Sequence, residues 1–179
     1  MRCFVALKLS EHVKSKVFHE FENLQKKNLF NGKFVNKENL HLTLQFLGSI
    51  SEEEIEETKK ELREIKFEKF NCGIGKIGVF NNERFIKVIW VDLISDKIEK
   101  LQKQISSKLS KFPSDFKKFE SHITTARVKF IINKEELIEE LKKINFRNLD
   151  FEVNEFVLMK SELTREGPKY KILERFKSF

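Results

Sequence analysis

Apolar and polar residues alternate or recur at helical spacing along most of the chain, and this pattern predicts strands and helices in turn. Residues 2–9 alternate and predict a strand. Ser10 then begins a predicted helix, because serine caps helices well and apolar residues follow at helical spacing. The next predicted elements are a turn at Asn31-Gly32, a short strand at Lys33-Phe34-Val35 and an apolar strand that ends at Gly48.

The middle of the chain continues the succession with a helix and a hairpin. Ser51 and Glu54 form the capping-box pattern of a helix start. Glycines in the first hairpin strand indicate bulges or close backbone approach, because no helix follows that would complete a phosphate loop. The hairpin strands are residues 67–80, with Gly73, Gly75 and Gly78, and residues 84–93, joined at Asn81-Asn82-Glu83.

The rest of the chain repeats the order of the first half. Ser95 begins a predicted helix that Pro113 ends, and a loop then leads into a strand at His122. Asn133 begins another helix, and the last two strands are predicted at 149–161 and 169–177. Strand, helix, loop, strand, helix and strand pair thus occur twice, which indicates an internal duplication of about 80 residues.

This duplication predicts the fold class. One unit of about 80 residues has a marginal core, so two copies packed about a pseudo-twofold axis would bury both sheets. No linker rich in proline, glycine or serine separates them, and we expect one domain of two pseudo-symmetric lobes over residues 1–179. The predicted fold is α+β and bilobal, with two antiparallel-rich sheets and flanking helices facing each other across a central cleft.

The two predicted central strands carry the same tripeptide pattern, His-x-Thr, at His41 to Thr43 and at His122 to Thr124. Side chains two residues apart in a strand lie on one face, so each strand presents an imidazole beside a hydroxyl. Histidine titrates near neutral pH, and two histidines facing a substrate can act as an opposed acid and base. Since a matched pair is harder to explain by packing than a lone motif, we interpret the motifs as two halves of one site.

Composition narrows the function classes. The 179 residues are 40% hydrophobic, without an apolar run long enough for a membrane span, so we expect a soluble cytoplasmic protein. A net charge of +7 favours an anionic partner, although many lysines lie beside glutamates on predicted helix faces.

Cys3 and Cys72 are predicted to pack in the core, and His12 and His19 to lie on a helix without a role in the site. No ligand set for a metal is visible, and neither metal nor cofactor is expected.

Several segments together resemble the 2H phosphoesterase superfamily, and more narrowly its RNA 2′,3′-cyclic phosphodiesterases, also called 2′-5′ RNA ligases. The segments are FVALKL near the start, HLTLQFLG from His41, SHITTARVK from Ser121, and GPKYKILERF from Gly167. The resemblance implies a bilobal fold with both motifs in a central cleft, and metal-independent hydrolysis of RNA 2′,3′-cyclic phosphate ends. The product would be a 2′-phosphomonoester.

Roles for five residues follow from this resemblance. It implies that His41 is the proton donor and His122 the proton acceptor, while Thr43 and Thr124 hydrogen-bond phosphate oxygens. Arg127 occupies the position of an arginine that pairs with phosphate or orients the site. Strict alternation from His122 would place Arg127 on the opposite face, so its access to the site requires a bulge or a strand end. Two positions depart from the pattern, since Ser121 replaces a usual proline and Thr125 a usual leucine.

Several alternatives stay open from the sequence. The substrate could instead be a small cyclic nucleotide, the site could also join 2′-5′ RNA bonds, or the chain could bind RNA without chemistry through its basic surface and its 19 phenylalanines. The partners expected are RNAs with 2′,3′-cyclic phosphate ends, with tRNA halves as candidates. We further expect a monomer and no membrane association.

Overall fold

The computed structural model describes residues 1–81, 85–112, 118–165 and 167–179. It has an α+β fold, and its helices are α1 (Glu11–Lys26), α2 (Glu52–Arg63), α3 (Asp96–Lys108) and α4 (Lys134–Lys143), with a short 3-10 turn at Lys37–Asn39. The strands are β1 (Arg2–Lys8), β2 (Phe30–Phe34), β3 (His41–Ser49), β4 (Phe70–Phe80), β5 (Val88–Ile94), β6 (His122–Ile131), β7 (Asp150–Val153), β8 (Glu155–Thr164) and β9 (Gly167–Lys177).

All strand pairs are antiparallel, and β3 and β6, which carry His41 and His122, lie next to each other at the centre of the strand order. The order is β7-β4-β5-β6-β3-β1-β8-β9, with β2 added beside β6. The central strands β3 and β6 are paired only through Leu42 and Ile123, so the sheet consists of two halves that meet at this point. The predicted α+β fold with two antiparallel sheets is confirmed, and the single pair joining the sheets is an added detail.

The two halves of the chain exchange strands. Strand β4, from the first repeat, lies between β5 and β7 of the second, and β8, from the second repeat, lies beside β1 of the first. Neither half could form its sheet alone, which supports the prediction of one domain over residues 1–179. That prediction remains a proposal about how the chain folds.

Local sequence signals explain the helix starts. The Ser10 hydroxyl accepts a hydrogen bond from the Val13 amide, and Ser51 and Glu54 form the predicted capping box. Asn133 caps α4 in the same way, whereas the Ser95 side chain makes no cap bond although α3 starts beside it. The apolar faces of α1, α2, α3 and α4 pack in one core with β-strand residues. Cys3 and Cys72 are buried there, and burial raises the pKa of the Cys72 thiol to about 12.

One predicted turn is wrong. Asn31 and Gly32 lie inside β2, at a shift in its pairing with β6. A side chain at Gly32 would place its Cβ 2.2 Å from the Arg127 carbonyl oxygen, so glycine serves close backbone approach and not a turn. In β4 a bulge was predicted, and the pairing with β5 shifts between Ile74 and Ile77. At Gly78 the space is taken by a side chain, since a Cβ there would lie 2.2 Å from the Trp90 ring.

One predicted strand also differs from the structure. The predicted strand at 149–161 is two strands, β7 and β8, because the chain crosses at Asn154 from the edge of one half-sheet to the other half-sheet. In the predicted hairpin turn, Asn81 has a positive φ of 85°, as turns often require. Asn82, Glu83 and the predicted helix stop at Pro113 lie outside the described residues.

Within the described part of the chain, no helix is long and apolar enough to cross a membrane.

Candidate active site

The two His-x-Thr motifs begin the two central strands. His41 opens β3 and His122 opens β6, and the side chains of Leu42 and Ile123 between them and the threonines are fully buried. Because Leu42 pairs with Ile123 in antiparallel register, His41 faces towards Thr124 and Thr43 towards His122. The strand pairing therefore brings the two motifs together, as the sequence predicted.

A bulge at the same place in both strands turns later residues towards the same face. The pairing of β1 with β3 skips Leu44, and the pairing of β5 with β6 skips Thr125. Two successive positions are then buried in each strand, and the alternation is reversed beyond them. As a result Arg127 lies in the cleft with the histidines, as does Phe46 at the corresponding position of β3.

The motifs line a cleft of about 1010 Å³. All five predicted site residues, His41, Thr43, His122, Thr124 and Arg127, contribute to its wall. Among the residues that the structure describes, the other charged side chains along the cleft are Arg2, Lys33, Lys118 and Glu120. Four cationic side chains thus face one carboxylate, and this imbalance favours an anionic ligand.

Backbone carbonyls fix the two imidazoles in matching tautomers. His41 Nδ1 lies 2.6 Å from the Asn39 carbonyl oxygen, and His122 Nδ1 lies 2.7 Å from the Glu120 carbonyl oxygen. A carbonyl oxygen only accepts hydrogen bonds, so each Nδ1 carries a hydrogen and each Nε2 is free to exchange a proton. His41 Nε2 is also 3.1 Å from the Thr43 hydroxyl oxygen.

Aromatic rings enclose both histidines. The ring centroids of Phe4 and Tyr170 lie 5.0 and 5.1 Å from that of His41. Phe80 packs edge-on against His122 with a centroid distance of 4.7 Å, and Trp90 lies at 6.1 Å. These apolar walls remove water from the imidazoles, and loss of hydration disfavours their charged forms.

The electrostatic surroundings of the histidines differ. Burial is the main reason that the pKa of His41 is lowered to about 4; nearby cations act in the same direction, and the hydrogen bond to the Asn39 carbonyl opposes them. Burial also lowers the pKa of His122, but the carboxylates of Glu120 and Asp92 act in the opposite direction. Asp92 is directly opposite His122 in the pairing of β5 with β6. The site is thus symmetric in backbone and asymmetric in charge.

Sequence reasoning missed the residues that support His41. The Asn39 side chain donates a hydrogen bond of 2.8 Å to the Pro168 carbonyl, joining the segment before β3 to the start of β9. Tyr170 follows on β9 and contacts His41 edge-on. Nothing in the sequence indicated that Asn39 would lie near Pro168 and Tyr170, because they are far apart along the chain. Pro168 and Tyr170 do lie in the segment GPKYKILERF that carried part of the resemblance.

The two departures from the family pattern differ in how their hydroxyl groups are accommodated. Thr125 is buried at the bulge of β6, and its hydroxyl donates to the Ile89 carbonyl at 3.0 Å, which satisfies the extra polar group. Ser121 precedes β6, and its carbonyl accepts a hydrogen bond from the Leu93 amide at 3.0 Å. Among the described residues, the side-chain oxygen of Ser121 is buried without a partner.

Two other predictions concern residues outside the cleft wall. His12 and His19 are exposed on α1, as predicted for bystanders. Over the described ranges, no three His, Cys, Asp or Glu side chains are grouped in a way that could hold a metal ion. Metal independence stays a prediction about the reaction.

The sequence profile of the LigT-like phosphoesterases matches this chain twice, over residues 7–90 and 91–170. The chain belongs to the LigT-like phosphoesterase family. The predicted membership of the 2H phosphoesterases is thereby confirmed, and the two matches correspond to the two predicted repeats.

Relatives in this family span the same length. The chain is 34% identical to an RNA 2′,3′-cyclic phosphodiesterase of Methanocaldococcus jannaschii, covering 98% of this chain and all (100%) of the relative. It is 35% identical to a protein of the same name from Thermotoga maritima, covering 97% of this chain and 93% of the relative. These matches confirm the predicted class of enzyme at the level of the family.

Solved structures show the same fold. A protein of Thermus thermophilus superposes with a TM-score of 0.84 and 26% identity, covering 99% of this chain and 97% of the other. Escherichia coli LigT in its apo form gives a TM-score of 0.81 at 24% identity, covering 99% and 96%. The duplicated LigT-like architecture therefore holds along the length of this chain.

Proposed function

We propose that this LigT-like protein is an RNA 2′,3′-cyclic phosphodiesterase that needs no metal and hydrolyses cyclic ends to 2′-phosphomonoesters. The observation that carries the proposal is the pair of His-x-Thr motifs on one cleft, with both imidazoles held through Nδ1 and both Nε2 atoms available. The names of the Methanocaldococcus and Thermotoga relatives support the same substrate class.

The proposed reaction is an in-line displacement at phosphorus. His122 Nε2 takes a proton from water as the water oxygen bonds to phosphorus, and the bond from phosphorus to the 3′-oxygen breaks. His41 Nε2 gives its proton to that departing oxygen, so the product carries a 2′-phosphate and a free 3′-hydroxyl. The acid and base must stand on opposite sides of phosphorus. His41 and His122 begin two neighbouring strands and line one cleft, so a phosphate bound between the two motifs would have one histidine on each side.

The non-bridging phosphate oxygens need donors that are already in place. Thr43 and Thr124 lie beside the histidines on the cleft face, and the bulge brings Arg127 to the same wall. Two hydroxyls and a guanidinium would stabilise the negative charge of the transition state without moving. Tyr170 and Phe4 keep His41 enclosed and would limit the access of bulk water on that side.

The decisive experiment uses RNA oligonucleotides with 2′,3′-cyclic phosphate ends, incubated with EDTA, followed by separation of the 2′- and 3′-phosphate products. We expect a 2′-phosphate and full activity with the chelator. A 3′-phosphate product would contradict the roles given to His41 and His122, and activity that returned only with an added divalent ion would contradict metal independence.

Other parts of the functional hypothesis remain predictions. Reversible 2′-5′ ligation would use the same groups with a 5′-hydroxyl in place of water, and ligated product from cyclic-ended and 5′-hydroxyl oligonucleotides would test it. Hydrolysis of a cyclic mononucleotide but not of RNA would favour the small-substrate alternative. Binding of cyclic-ended RNA without turnover would favour a non-catalytic RNA-binding protein. A preference for tRNA halves, a monomeric state and a cytoplasmic location are equally untested.

A further inference from the structure

One pair of cations in the cleft has no acidic partner among the described residues. Lys33 of β2 is directly opposite Arg127 of β6, and both side chains are exposed and line the cleft. Side chains directly opposite in an antiparallel pair share a face and have Cβ atoms about 5 Å apart. Across the residues that the structure describes, neither side chain forms a salt bridge, although 15 pairs are found elsewhere.

Keeping two like charges directly opposite is unfavourable for folding. Elsewhere some surface lysines are paired with glutamate, for example Lys59 with Glu56 at 2.6 Å and Lys111 with Glu57 at 2.5 Å. An uncompensated pair on a cleft wall is instead the arrangement expected of an anion site, because the ligand supplies the missing negative charge.

The pair is also held in a fixed position. Gly32 allows β2 to approach the Arg127 carbonyl closely, and the Val35 amide donates to the Thr125 carbonyl at 2.8 Å. On the apolar side of β2, the rings of Phe30 and Phe34 pack with a centroid distance of 4.9 Å. Lys33 therefore projects from a rigid strand, and only its own side chain has to be ordered when it binds.

We propose that Lys33 binds a second phosphate of the substrate, the one attached to the 5′-oxygen of the terminal nucleoside, next to the cyclic phosphate bound at Arg127. This inference rests on the proposed function, because it takes the cyclic phosphate to lie between the histidines. Two neighbouring phosphates of one strand then meet two neighbouring cations. The substrate class selected is an end that carries a 5′-phosphate or a preceding nucleotide, in preference to a bare cyclic nucleoside.

Three probes separate the two phosphates. Adenosine 2′,3′-cyclic phosphate has only the reacting phosphate, its 5′-phosphorylated form adds the second phosphate, and the cyclic-ended dinucleotide adds it as a diester. The quantity measured is the ratio of kcat/KM for each two-phosphate probe to that for the bare cyclic nucleoside. We expect a ratio above one in the wild type, and a fall of roughly fivefold in Lys33→Ala, as a charge-assisted contact at an exposed side chain would give.

Matched variants make the test specific. Lys33→Arg should keep the ratio, while Lys33→Glu should lower it below that of Lys33→Ala. Lys129 is an exposed lysine on β6, two residues from Arg127 but outside the cleft wall, and Lys129→Ala should keep the wild-type ratio. For the dinucleotide, kcat/KM should depend less steeply on salt in Lys33→Ala than in the wild type, because one contact between a cation and a phosphate is lost.

The outcomes distinguish this inference from the proposed function. A ratio that Lys33→Ala leaves unchanged, whether near one or above it, would overturn the second-phosphate site. Hydrolysis of the bare cyclic nucleoside would at the same time uphold the enzyme. An equal fall in Lys129→Ala would also overturn it, in favour of diffuse attraction. If no probe were hydrolysed, the proposed function would fail. Calorimetry would still decide the site in that case. The quantity compared would be the ratio of the association constant of adenosine 2′,5′-bisphosphate to that of adenosine 2′-phosphate, in the wild type and in Lys33→Ala.

Discussion

Removal of the Asn39 side chain should impair catalysis far more than folding. In Asn39→Ala the hydrogen bond from Nδ2 to the Pro168 carbonyl, 2.8 Å long, is lost. The backbone carbonyl that holds His41 Nδ1 remains, but the segment carrying it is no longer tied to β9. Tyr170, which encloses His41 from β9, loses the same anchor.

The magnitude follows from the contacts involved. One neutral hydrogen bond at a partly exposed site contributes about 0.5–1.5 kcal/mol, so the free energy of unfolding should fall by about 1 kcal/mol or less. Freedom of the His41 ring should have a larger effect on the reaction, because His41 is the proposed proton donor and a misplaced donor loses part of the roughly 10²–10⁴-fold contribution of acid catalysis. We expect kcat to fall roughly tenfold or more, with a smaller change in KM.

The internal repeat provides a matched control. Glu120 occupies the equivalent place before β6 and offers its carbonyl to His122 at 2.7 Å, but within the described chain its side chain makes no bond across to another strand. Glu120→Ala should therefore leave the orientation of His122 intact. Nitrogen NMR of the imidazoles should show His41 leaving its Nδ1–H tautomer in Asn39→Ala, and His122 keeping its own in both variants. Equal loss of kcat in the two variants, or an unchanged His41 tautomer in Asn39→Ala, would refute this reasoning.

The remaining predictions concern the histidines and one glycine. His41→Ala and His122→Ala should each lower kcat by roughly 10²–10⁴-fold and be strongly non-additive; near wild-type rates in both would place the site elsewhere. Because burial lowers both histidine pKa values, kcat/KM should peak below about pH 6.5, and a peak above pH 7 would contradict this. Between pH 6.5 and about 4 the His41 imidazole is protonated in the unfolded state but not in the folded state, so the free energy of unfolding should fall as pH drops. It should fall less steeply in His41→Gln, and equal slopes of unfolding free energy against pH in the two proteins, measured with urea, would contradict this. Gly32→Ala should cost about 1–3 kcal/mol in urea unfolding, because its Cβ would clash with the Arg127 carbonyl; a smaller loss than from an alanine at Gly73, where space is open, would refute the close-approach argument.

The core of the site was predictable because it depends on local periodicity. Alternation in a strand is enough to place His41 beside Thr43 and His122 beside Thr124, and a repeated motif in a duplicated chain implies that the copies meet. The sequence also indicated that Arg127 needs a bulge to reach the site. It could not show where the bulge lies, since Leu44 and Thr125 look like ordinary strand residues.

What the sequence could not reveal depends on which strands become neighbours. Residues 149–161 have the pattern of one strand, yet β7 pairs with β4 and β8 with β1, in different half-sheets. The bond from Asn39 to Pro168 and the placing of Asp92 opposite His122 arise from the same long-range pairing. No local signal encodes such contacts, because residues far apart in the chain determine them together.

The pseudo-symmetric frame must perform an asymmetric reaction, and the charges around it indicate where the asymmetry arises. Lys14 acts to lower the pKa of His41, whereas the carboxylates of Glu120 and Asp92 act to raise that of His122. In the free protein these neighbours favour a proton on His122, while the proposed hydrolysis to a 2′-phosphate requires it on His41. In the proposed mechanism the bound phosphate would reverse this preference by placing its negative charge closer to His41 than to His122. Asp92→Asn should weaken the preference for His122 and lower the pKa of that imidazole, so the free enzyme would hold more of the productive form. An unchanged His122 titration in that variant would remove Asp92 from the account.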